Sequence, residues 1–388
     1  MAADEPGADD AWEREQAEEE ADRQRKAEPP PALGRAEFLA WRSPRLVGAN
    51  PTRLDNPLWH WMVRTRWNAF RANELFGGPS AFDAGPMWCF DRFGKSETSL
   101  GDGRVLHIAG EHEDHYDPDF HIYNDVTVVD ADGGVAIFGY PQADFAPTDF
   151  PTATRVGQAV WIIGRLGNPD GRVHDATPVY RLCLASMRIE AVAATGEPPG
   201  WIYRHTATLS ADGRAIVVAG GERWLGTDVA TRRNIDTWAL DTHSAAWHRL
   251  TRHAWQHWVM VRTDRKPNRL WDTRQEQWRL ANPHPAFTSH WPDSDEPDLA
   301  ALDGLYRVSG PCGPLVEGTD SGAFSTVIDG LTVRFLEDRF WVEAVVEGQL
   351  GSSRLAELQA AMLVHLERID RAPYEIEGGG PGVAGAGG

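Results

Sequence analysis

The chain has 388 residues and 41% of them are hydrophobic, which is enough to build apolar cores for two domains. Its formal net charge is −19, and this argues against a nucleic-acid partner, because duplex binding depends on Lys and Arg side chains that neutralise phosphates. No run reaches the roughly 18 apolar residues of a membrane-spanning helix and the N-terminus is acidic where a secretory signal would be basic and then apolar, so we expect a cytoplasmic protein with no membrane partner.

The first 85 residues contain two segments of different character. Residues 1–35 form an acidic tail, in which the first thirty positions hold eleven acidic and four basic side chains. With so little to bury, this tail is predicted to be disordered or transiently helical. Residues 36–85 form an N-terminal helical segment, in which Asn56 can cap a helix. Pro57 suits the first helical position, because its missing N–H would be unpaired there anyway.

Short strand-like runs that end in glycine recur through the middle of the chain. The glycines Gly110, Gly164 and Gly220 lie 54 and 56 residues apart, and the turn Asp-Gly-Arg at 102–104 recurs at 212–214. A second apolar strand-like run follows each glycine. These similar intervals indicate an internal repeat built of β-strands.

The stretch from residue 204 to residue 250 resembles a kelch repeat. That pattern combines a glycine pair that closes one strand, an aromatic residue in the next strand, an aspartate turn and a tryptophan. The corresponding residues here are Gly220-Gly221, Trp238, Asp241 and Trp247, preceded by Arg204-His205 where the family begins its first strand with a basic residue and histidine. One whole repeat therefore matches the pattern.

Three other stretches carry parts of the same pattern. Residues 92–140 keep Gly110 but have Glu111 and Ala136 at the second glycine and the tryptophan, and residues 152–195 keep Gly164 and Tyr180 but have Arg165, Cys183 and Ile189 at the remaining positions. Residues 270–273, LWDT, followed by Trp278, repeat the spacing between aspartate and tryptophan. We therefore count three clear kelch repeats and a degenerate fourth.

The resemblance implies a mainly β fold, in which residues 86–285 form a divergent kelch-like β-propeller of about four blades. Each blade is a four-stranded sheet that stacks on its neighbours, with the tryptophan packed between blades. Glycine at the strand end permits close backbone approach and a positive φ in the turn that follows. Because about four blades is the lower limit for a ring, the ring is either completed by flanking residues or left open.

The C-terminal part of the chain has a different pattern. Two runs of alternating apolar and polar residues flank Glu337-Asp338, which predicts a hairpin. A helix is predicted to begin near Ser352-Ser353, with its apolar residues on one face. We therefore expect a small α+β domain over residues 286–376, followed by a flexible tail of glycine and alanine over residues 377–388.

The sequence AGEHEDHYDPDFHIYND, residues 109–125, concentrates histidine and carboxylate side chains in the first repeat. It follows the glycine-ended strand, and the resemblance implies that a loop at this position lies at a mouth of the propeller, where partners bind. The predicted binding residues are His112, Asp114, His115, Tyr116 and Asp117, with Arg223 and Trp224 from the equivalent loop of the third repeat. Rigid blades order such loops and reduce the entropy lost on association.

The same loop has a second interpretation, a divalent metal site. The imidazole and carboxylate groups of His112, Asp114, His115, Asp117 and His121 are suitable ligands for zinc or another divalent cation. Their spacing matches neither the HExxH motif nor the EF-hand pattern. Carboxylates that accept backbone N–H groups and pair with arginines would explain the same composition without a metal.

We expect a cytoplasmic bacterial protein that acts by binding, through recognition of a protein partner or a small ligand and without a cofactor. The chain lacks the G-x-S-x-G and Walker motifs of two common enzyme classes. Its cysteines, Cys89, Cys183 and Cys312, form no CxxC pair. The rival interpretation is an enzyme that uses residues 111–121, either a metal-dependent one or a sugar-modifying one similar to kelch-type epimerases and mutarotases.

Overall fold

The computed structural model describes residues 8–114, 117–224, 226, 231–284, 287, 291, 295–318 and 322–377. The chain forms two compact units, Met1–Thr251 and Arg252–Gly388. Several antiparallel sheets and a few helices make the fold mainly β, as predicted. Among the described residues, no helix is both long enough and apolar enough to cross a membrane.

Helices and one short strand precede the repeats. They are α1 Ala8–Lys26, α2 Arg35–Trp41, β1 Thr52–Arg53, α3 Pro57–Thr65, α4 Ala69–Leu75 and α5 Ala81–Ala84. The predicted helix start is confirmed, because the Asn56 side chain accepts a hydrogen bond from the backbone N–H of Trp59 at 2.8 Å and Pro57 is the first residue of α3.

Helix α1 lies within the acidic tail, for which the sequence predicts disorder or a transient helix. In its last turn Asp22 pairs with Lys26 at 2.6 Å, the i, i+4 spacing at which side chains meet on a helix surface. Beyond the helix, the Glu28 carboxylate pairs with Arg64 of α3 at 2.6 Å, and its carbonyl accepts the Trp61 indole N–H at 3.1 Å. These contacts anchor the segment after α1 to α3.

Three repeats follow in the first unit. The first contains β2 Ser96–Ser99, β3 Val105–Ile108, β4 Glu111–Asp114, β5 Asp117–Ile122, β6 Asp125–Val129 and β7 Val135–Gly139. The second contains β8 Thr152–Val156, β9 Ala159–Ile163, a 3₁₀ turn at Pro169–Gly171, β10 Val179–Cys183 and β11 Ile189–Ala191. The third contains β12 Thr195–Gly196, β13 Trp201–Tyr203, β14 Thr206–Leu209, β15 Ala215–Ala219, β16 Glu222–Trp224, β17 Arg232–Arg233, β18 Trp238–Asp241 and β19 Ala246–Arg249.

Each repeat forms one sheet in which four strands pair in chain order, β2-β3-β6-β7, β8-β9-β10-β11 and β14-β15-β18-β19. The short strand β1 extends the first sheet by pairing with β7, and β12 extends the third by pairing with β19. Between the second and third strands, the first repeat inserts the hairpin β4-β5. In the third repeat β16 and β17 join β13 in a small sheet. The predicted repeat therefore corresponds to three sheets of the same design.

The three sheets are joined through the residues that precede their first strands. The backbone N–H of Phe150 donates to the carbonyl of Gly94 at 2.7 Å, and that of Arg204 donates to the carbonyl of Phe150 at 3.1 Å. These three residues, which we call the inner ladder, have positive φ angles of 60°, 52° and 52°. Each lies two positions before its sheet, so the first strands β2, β8 and β14 are neighbours.

The glycines at the strand ends have the two properties that the repeat pattern predicts. Gly110, Gly164 and Gly221 have φ angles of 94°, 72° and 77°. A Cβ on Gly164 would lie 2.3 Å from the carbonyl oxygen of Ile202, and one on Gly221 would lie 2.5 Å from that of Tyr203. The neighbouring backbone therefore comes too close for any side chain, which only glycine tolerates.

The repeat tryptophans pack as predicted. Trp161, Trp238 and Trp247 are buried in one apolar cluster that combines residues of the second and third sheets. Ile163 of β9 and Val218 of β15 belong to the same cluster. The indole rings therefore fill the space between neighbouring sheets, where their large apolar area is removed from water.

The second unit contains one six-stranded antiparallel sheet with three helices. Its elements are β20 Gln256–Arg262, α6 Leu270–Ala281, α7 Leu299–Gly304, β21 Val316–Glu317, β22 Ala323–Ile328, β23 Leu331–Glu337, β24 Trp341–Val346, α8 Ser352–Asp370 and β25 Tyr374–Glu377. The strand order is β21-β22-β23-β24-β20-β25. The predicted hairpin at Glu337-Asp338 and the helix at Ser352 are both confirmed. Leu358, Met362 and Leu366 of α8 are fully buried against this sheet.

The predicted fourth, degenerate repeat is wrong. Its LWDT stretch begins helix α6, in which Leu270 and Thr273 are buried while Trp271 and Trp278 are 61% and 50% exposed. The strand before it, β20, pairs with β24 and β25. The predicted boundary at residue 285 therefore falls inside the second unit, which begins at Arg252.

Candidate functional site

The histidine- and aspartate-rich stretch is a hairpin, where the sequence predicted a loop. Strands β4 and β5 pair Glu111 with Ile122 and His112 with His121, and the register shifts before Asp114 pairs with Asp117. The predicted site residues His115 and Tyr116 lie outside the described residues, as do the side chains of Asp114 and Asp117. For those four the binding prediction stays a prediction.

The two described histidines of the hairpin have partners within it. His112 is 8% exposed, and its Nε2 lies 3.1 Å from Oδ2 of Asp119. His121 packs edge-on against the Tyr123 ring with 4.7 Å between ring centres. Burial lowers the pKa of His121, and the charge of Arg92 lowers it further.

The proposed metal ligands do not assemble within the described part of the chain. There, no three His, Cys, Asp or Glu side chains gather in a group that could hold a metal ion. His115 and the carboxylates of Asp114 and Asp117 lie outside the described part of the chain, so the full ligand set stays a prediction.

Arg223 and Trp224, which were predicted in a loop, lie on strand β16. Strand β16 is the central strand of the small sheet β13-β16-β17. The Arg223 guanidinium carbon lies 5.4 Å from the centre of the Trp238 ring, and the Trp224 ring lies 6.5 Å from that of His174. No hydrogen bond or ion pair between described residues joins Arg223 or Trp224 to the β4-β5 hairpin.

The structure brings together a set of charged residues that the sequence analysis did not select. We call it the inner cluster, and its members are Glu111, Asp149, Arg165, Arg204 and Glu222. Three of them directly follow the strand-ending glycines of the three repeats, and the other two directly precede or belong to the inner ladder. Equivalent positions of neighbouring repeats lie close together in space. A charged residue directly after each strand-ending glycine was therefore the sequence signal that could have identified this cluster.

Asp149 is the buried member of the inner cluster. It has no exposed surface, and its Oδ1 accepts the backbone N–H of Gly167 at 2.6 Å. Its Oδ2 is also buried and accepts no hydrogen bond from the N–H and hydroxyl groups that the structure describes. Besides the Gly167 N–H, a protonated Glu111 can donate to the Asp149 carboxylate. Burial raises the pKa of the Asp149 carboxyl, against the opposing effect of the Gly167 N–H and the charge of Arg165.

Glu111 is the neighbour of Asp149 and is the titratable member of the cluster. Burial raises its pKa to about 7, the charge of Asp149 adds to this effect, and the charge of Arg204 opposes it. A side-chain hydrogen bond to Asp149 further favours the protonated form of Glu111. Near neutral pH the Glu111 carboxyl therefore changes between a hydrogen-bond donor and an anion.

Arg204 and Glu222 form the solvent-facing side of the cluster, and the buried Tyr203 supports Glu222. Arg204 Nη1 lies 3.5 Å from Oε1 of Glu222, and the Tyr203 hydroxyl donates to Oε2 of Glu222 at 2.9 Å. The Arg204 side chain is 47% exposed and that of Glu222 is 23% exposed. This side of the cluster can therefore offer a ligand both donors and acceptors, with a carboxyl of near-neutral pKa behind them.

Replacement of Glu111 by Gln is expected to remove a pH-dependent part of the stability. Between the ordinary Glu pKa of 4.5 and the raised pKa of about 7, the folded chain keeps a proton on Glu111 that the unfolded chain has released. The free energy of unfolding of the wild type should therefore fall with rising pH through this window, relative to the variant. Thermal unfolding at a series of pH values measures this difference in slope.

Glu37→Gln is the matched control for that experiment, because Glu37 is an exposed residue of helix α2 and its charge does not act on Glu111. It should keep the wild-type slope between about pH 4.5 and pH 7. An unchanged slope in the Glu111→Gln variant would show that Glu111 does not hold the proton.

The fold and the site define a mainly β chain with several antiparallel sheets and a charged cluster at the joint between three of them. No protein-family model matches the chain, and no curated protein matches it. Among solved structures the chain is similar to YjhT, with 13% sequence identity and a TM-score of 0.27 over 41% of this chain and 50% of that one. The match therefore spans about half the length of the YjhT chain.

Proposed function

We propose that the first unit is a divergent kelch-like binding module, an open propeller of three blades, that recognises a protein partner or a small polar ligand through the inner cluster. Three sheets with the same strand order, neighbouring first strands and tryptophans packed between sheets support the propeller interpretation. The inner ladder holds the blades side by side and thereby fixes the positions of the cluster residues.

The observation that carries the proposal is the state of Asp149. When Glu111 is ionised, no described residue donates a hydrogen bond to the buried Oδ2 of Asp149, and this costs free energy in the unliganded protein. The cost is offset if a ligand supplies a donor or keeps the proton on Glu111. Arg204 and Glu222 stand at the exposed side of the same cluster, so a polar ligand would meet them first.

Capture of ligands by the immobilised full-length protein tests the proposal, with bound proteins and small molecules identified by mass spectrometry. Arg204→Ala and Glu222→Gln change the exposed side of the cluster. Arg214→Ala is the control, since Arg214 is exposed in the turn at the opposite end of β15. We expect a species retained by wild type and by the control, and retained about tenfold less by the two cluster variants, as the loss of one charged contact predicts.

Equal retention of every captured species by all the variants would contradict the proposal, and so would the absence of any specifically retained species.

A second candidate, an enzyme that transfers a proton at this site, is favoured by the Glu111 pKa of about 7. Groups with a pKa close to the working pH are the most effective general acids and bases. The two candidates separate in the Glu111→Gln variant. A binding module leaves its ligand chemically unchanged in both the wild type and the variant, whereas an enzyme converts the ligand in the wild type and not in the variant.

A further inference from the structure

We propose that Arg223 is the centre of an anion-binding site in the third repeat, which takes the carboxylate or phosphate group of a ligand. Its guanidinium is desolvated, has no anionic partner among the described residues, and stands beside a buried indole N–H that is also without a partner.

The site is separate from the inner cluster. Arg223 is the middle residue of β16 and pairs with Ile202 of β13 and Arg232 of β17. Successive side chains of a strand point to opposite faces, so Arg223 faces away from Glu222, which belongs to the inner cluster. Success or failure of the anion proposal therefore does not decide the proposed function, and the reverse is also true.

Arg223 lacks the partners that a buried guanidinium normally has. Its Nε is buried and makes no hydrogen bond to the described part of the chain. Three carboxylates surround it: Glu197 and Asp236 pair with Arg249, at 3.2 Å for Glu197, and Oδ2 of Asp175 lies 2.9 Å from Nδ1 of His174. Burial lowers the pKa of Arg223, and the charge of Arg249 lowers it further. A buried guanidinium without an ion-pair partner lowers the stability of the fold until an anion binds to it.

The surroundings supply donors. Trp238 is 1% exposed, and its Nε1–H has no hydrogen-bond partner among the residues described. The guanidinium carbons of Arg223 and Arg249 lie 5.4 and 5.3 Å from the centre of its ring. Gly200 faces the guanidinium, since a Cβ there would lie 3.4 Å from Nη2 of Arg223. The same Cβ would lie 3.9 Å from Cα of Asp175, so this edge of the guanidinium lies against Gly200 and Asp175.

These features select the chemistry of the ligand. A guanidinium presents N–H donors in a planar fork that matches two oxygens of a carboxylate or phosphate. The indole N–H adds a further donor and no acceptor. An oxyanion is therefore the group that would satisfy Arg223 and Trp238 together, whereas a cation would be repelled by both arginines.

Titration of the ¹⁵N-labelled full-length protein with inorganic phosphate, and separately with acetate, tests the proposal. The arginine Nε–H signals and the tryptophan indole signals are followed by NMR, and the Arg223 signal is identified by its loss in Arg223→Gln. We expect saturable shifts of the Arg223 and Trp238 signals, and an affinity at least about tenfold weaker in Arg223→Gln. Saturation by phosphate alone would identify a phosphorylated ligand, and saturation by acetate would identify a carboxylate.

Arg233→Gln is the control, because Arg233 is an exposed arginine on the neighbouring strand β17. It should bind the anion as the wild type does. The proposal is overturned if neither anion gives a saturable shift in the wild type, or if Arg223→Gln and the wild type bind with equal affinity. Thermal stabilisation by phosphate, measured in the same three proteins, provides a second readout that does not depend on signal assignment.

Discussion

Replacement of Asp125 by Asn is expected to lower the free energy of unfolding of the first unit by about 3–5 kcal/mol, because it leaves a buried guanidinium without its counter-charge. Asp125 accepts hydrogen bonds from both terminal nitrogens of Arg92, with 2.9 Å between Nη2 and Oδ2, and from the Trp88 indole at 2.8 Å. Only 3% of the Arg92 side chain is exposed. An amide has one acceptor oxygen and no charge, so it cannot replace these interactions.

The groups that hold Arg92 would remain in that variant. Its Nη1 donates to the carbonyl of Ala109 at 3.0 Å, and its guanidinium carbon lies 3.4 Å from the centre of the Tyr123 ring. The Tyr123 hydroxyl in turn accepts the backbone N–H of Cys89 at 3.0 Å. Arg92 therefore cannot turn towards water to recover its hydration. Without the carboxylate of Asp125, its positive charge would be buried and uncompensated.

Asp102→Asn is the matched control, since it removes the same group from an exposed arginine–aspartate pair. Nη2 of Arg104 lies 2.8 Å from Oδ2 of Asp102, and the side chains of Asp102 and Arg104 are 50% and 44% exposed. This change should cost much less than Asp125→Asn, because solvent screens an exposed pair. Hydrogen–deuterium exchange in urea, measured on peptides from residues 87–130, reports on the first unit separately. Equal losses in the two variants would show that burial does not strengthen the Arg92–Asp125 pair.

The repeat architecture could be read from the sequence because its signals are local. A glycine that ends a strand must permit a positive φ, and Gly110 and Gly164 do so at the predicted interval. The interpretation of residues 270–278 was wrong because an aspartate and a tryptophan six positions apart do not distinguish a strand from a helix. Leu270 and Thr273, three positions apart and both buried, show the helical periodicity that decides the matter.

The candidate site was harder to predict, since its parts are far apart in the chain. Glu111 and Arg204 are in different repeats, and only the backbone links of the inner ladder bring their surroundings together. The histidine-rich stretch attracted attention by composition, yet His112 is buried beside Asp119. Composition identifies residues that can bind, whereas the register of a hairpin determines which of them face solvent.

The second large effect is expected at the joint between the second and third repeats, where Gly164→Ala should lower the free energy of unfolding by about 2–5 kcal/mol. The φ angle of 72° is unfavourable for alanine, and the new Cβ would lie 2.3 Å from the carbonyl oxygen of Ile202. That carbonyl accepts the backbone N–H of Arg165 at 3.0 Å. Relief of the overlap must therefore move the backbone of Arg165, which belongs to the inner cluster.

Gly213→Ala separates the two causes of the Gly164→Ala effect. Its φ angle of 71° is almost the same, but no atom lies within 4 Å of the position that a Cβ would occupy. It should therefore show the conformational cost alone, about 1–2 kcal/mol, in urea unfolding followed by exchange in the first unit. The difference in unfolding free energy between the two variants measures how closely the second and third repeats approach. Equal losses of unfolding free energy would mean that the backbone near Gly164 moves without cost to make room for the Cβ.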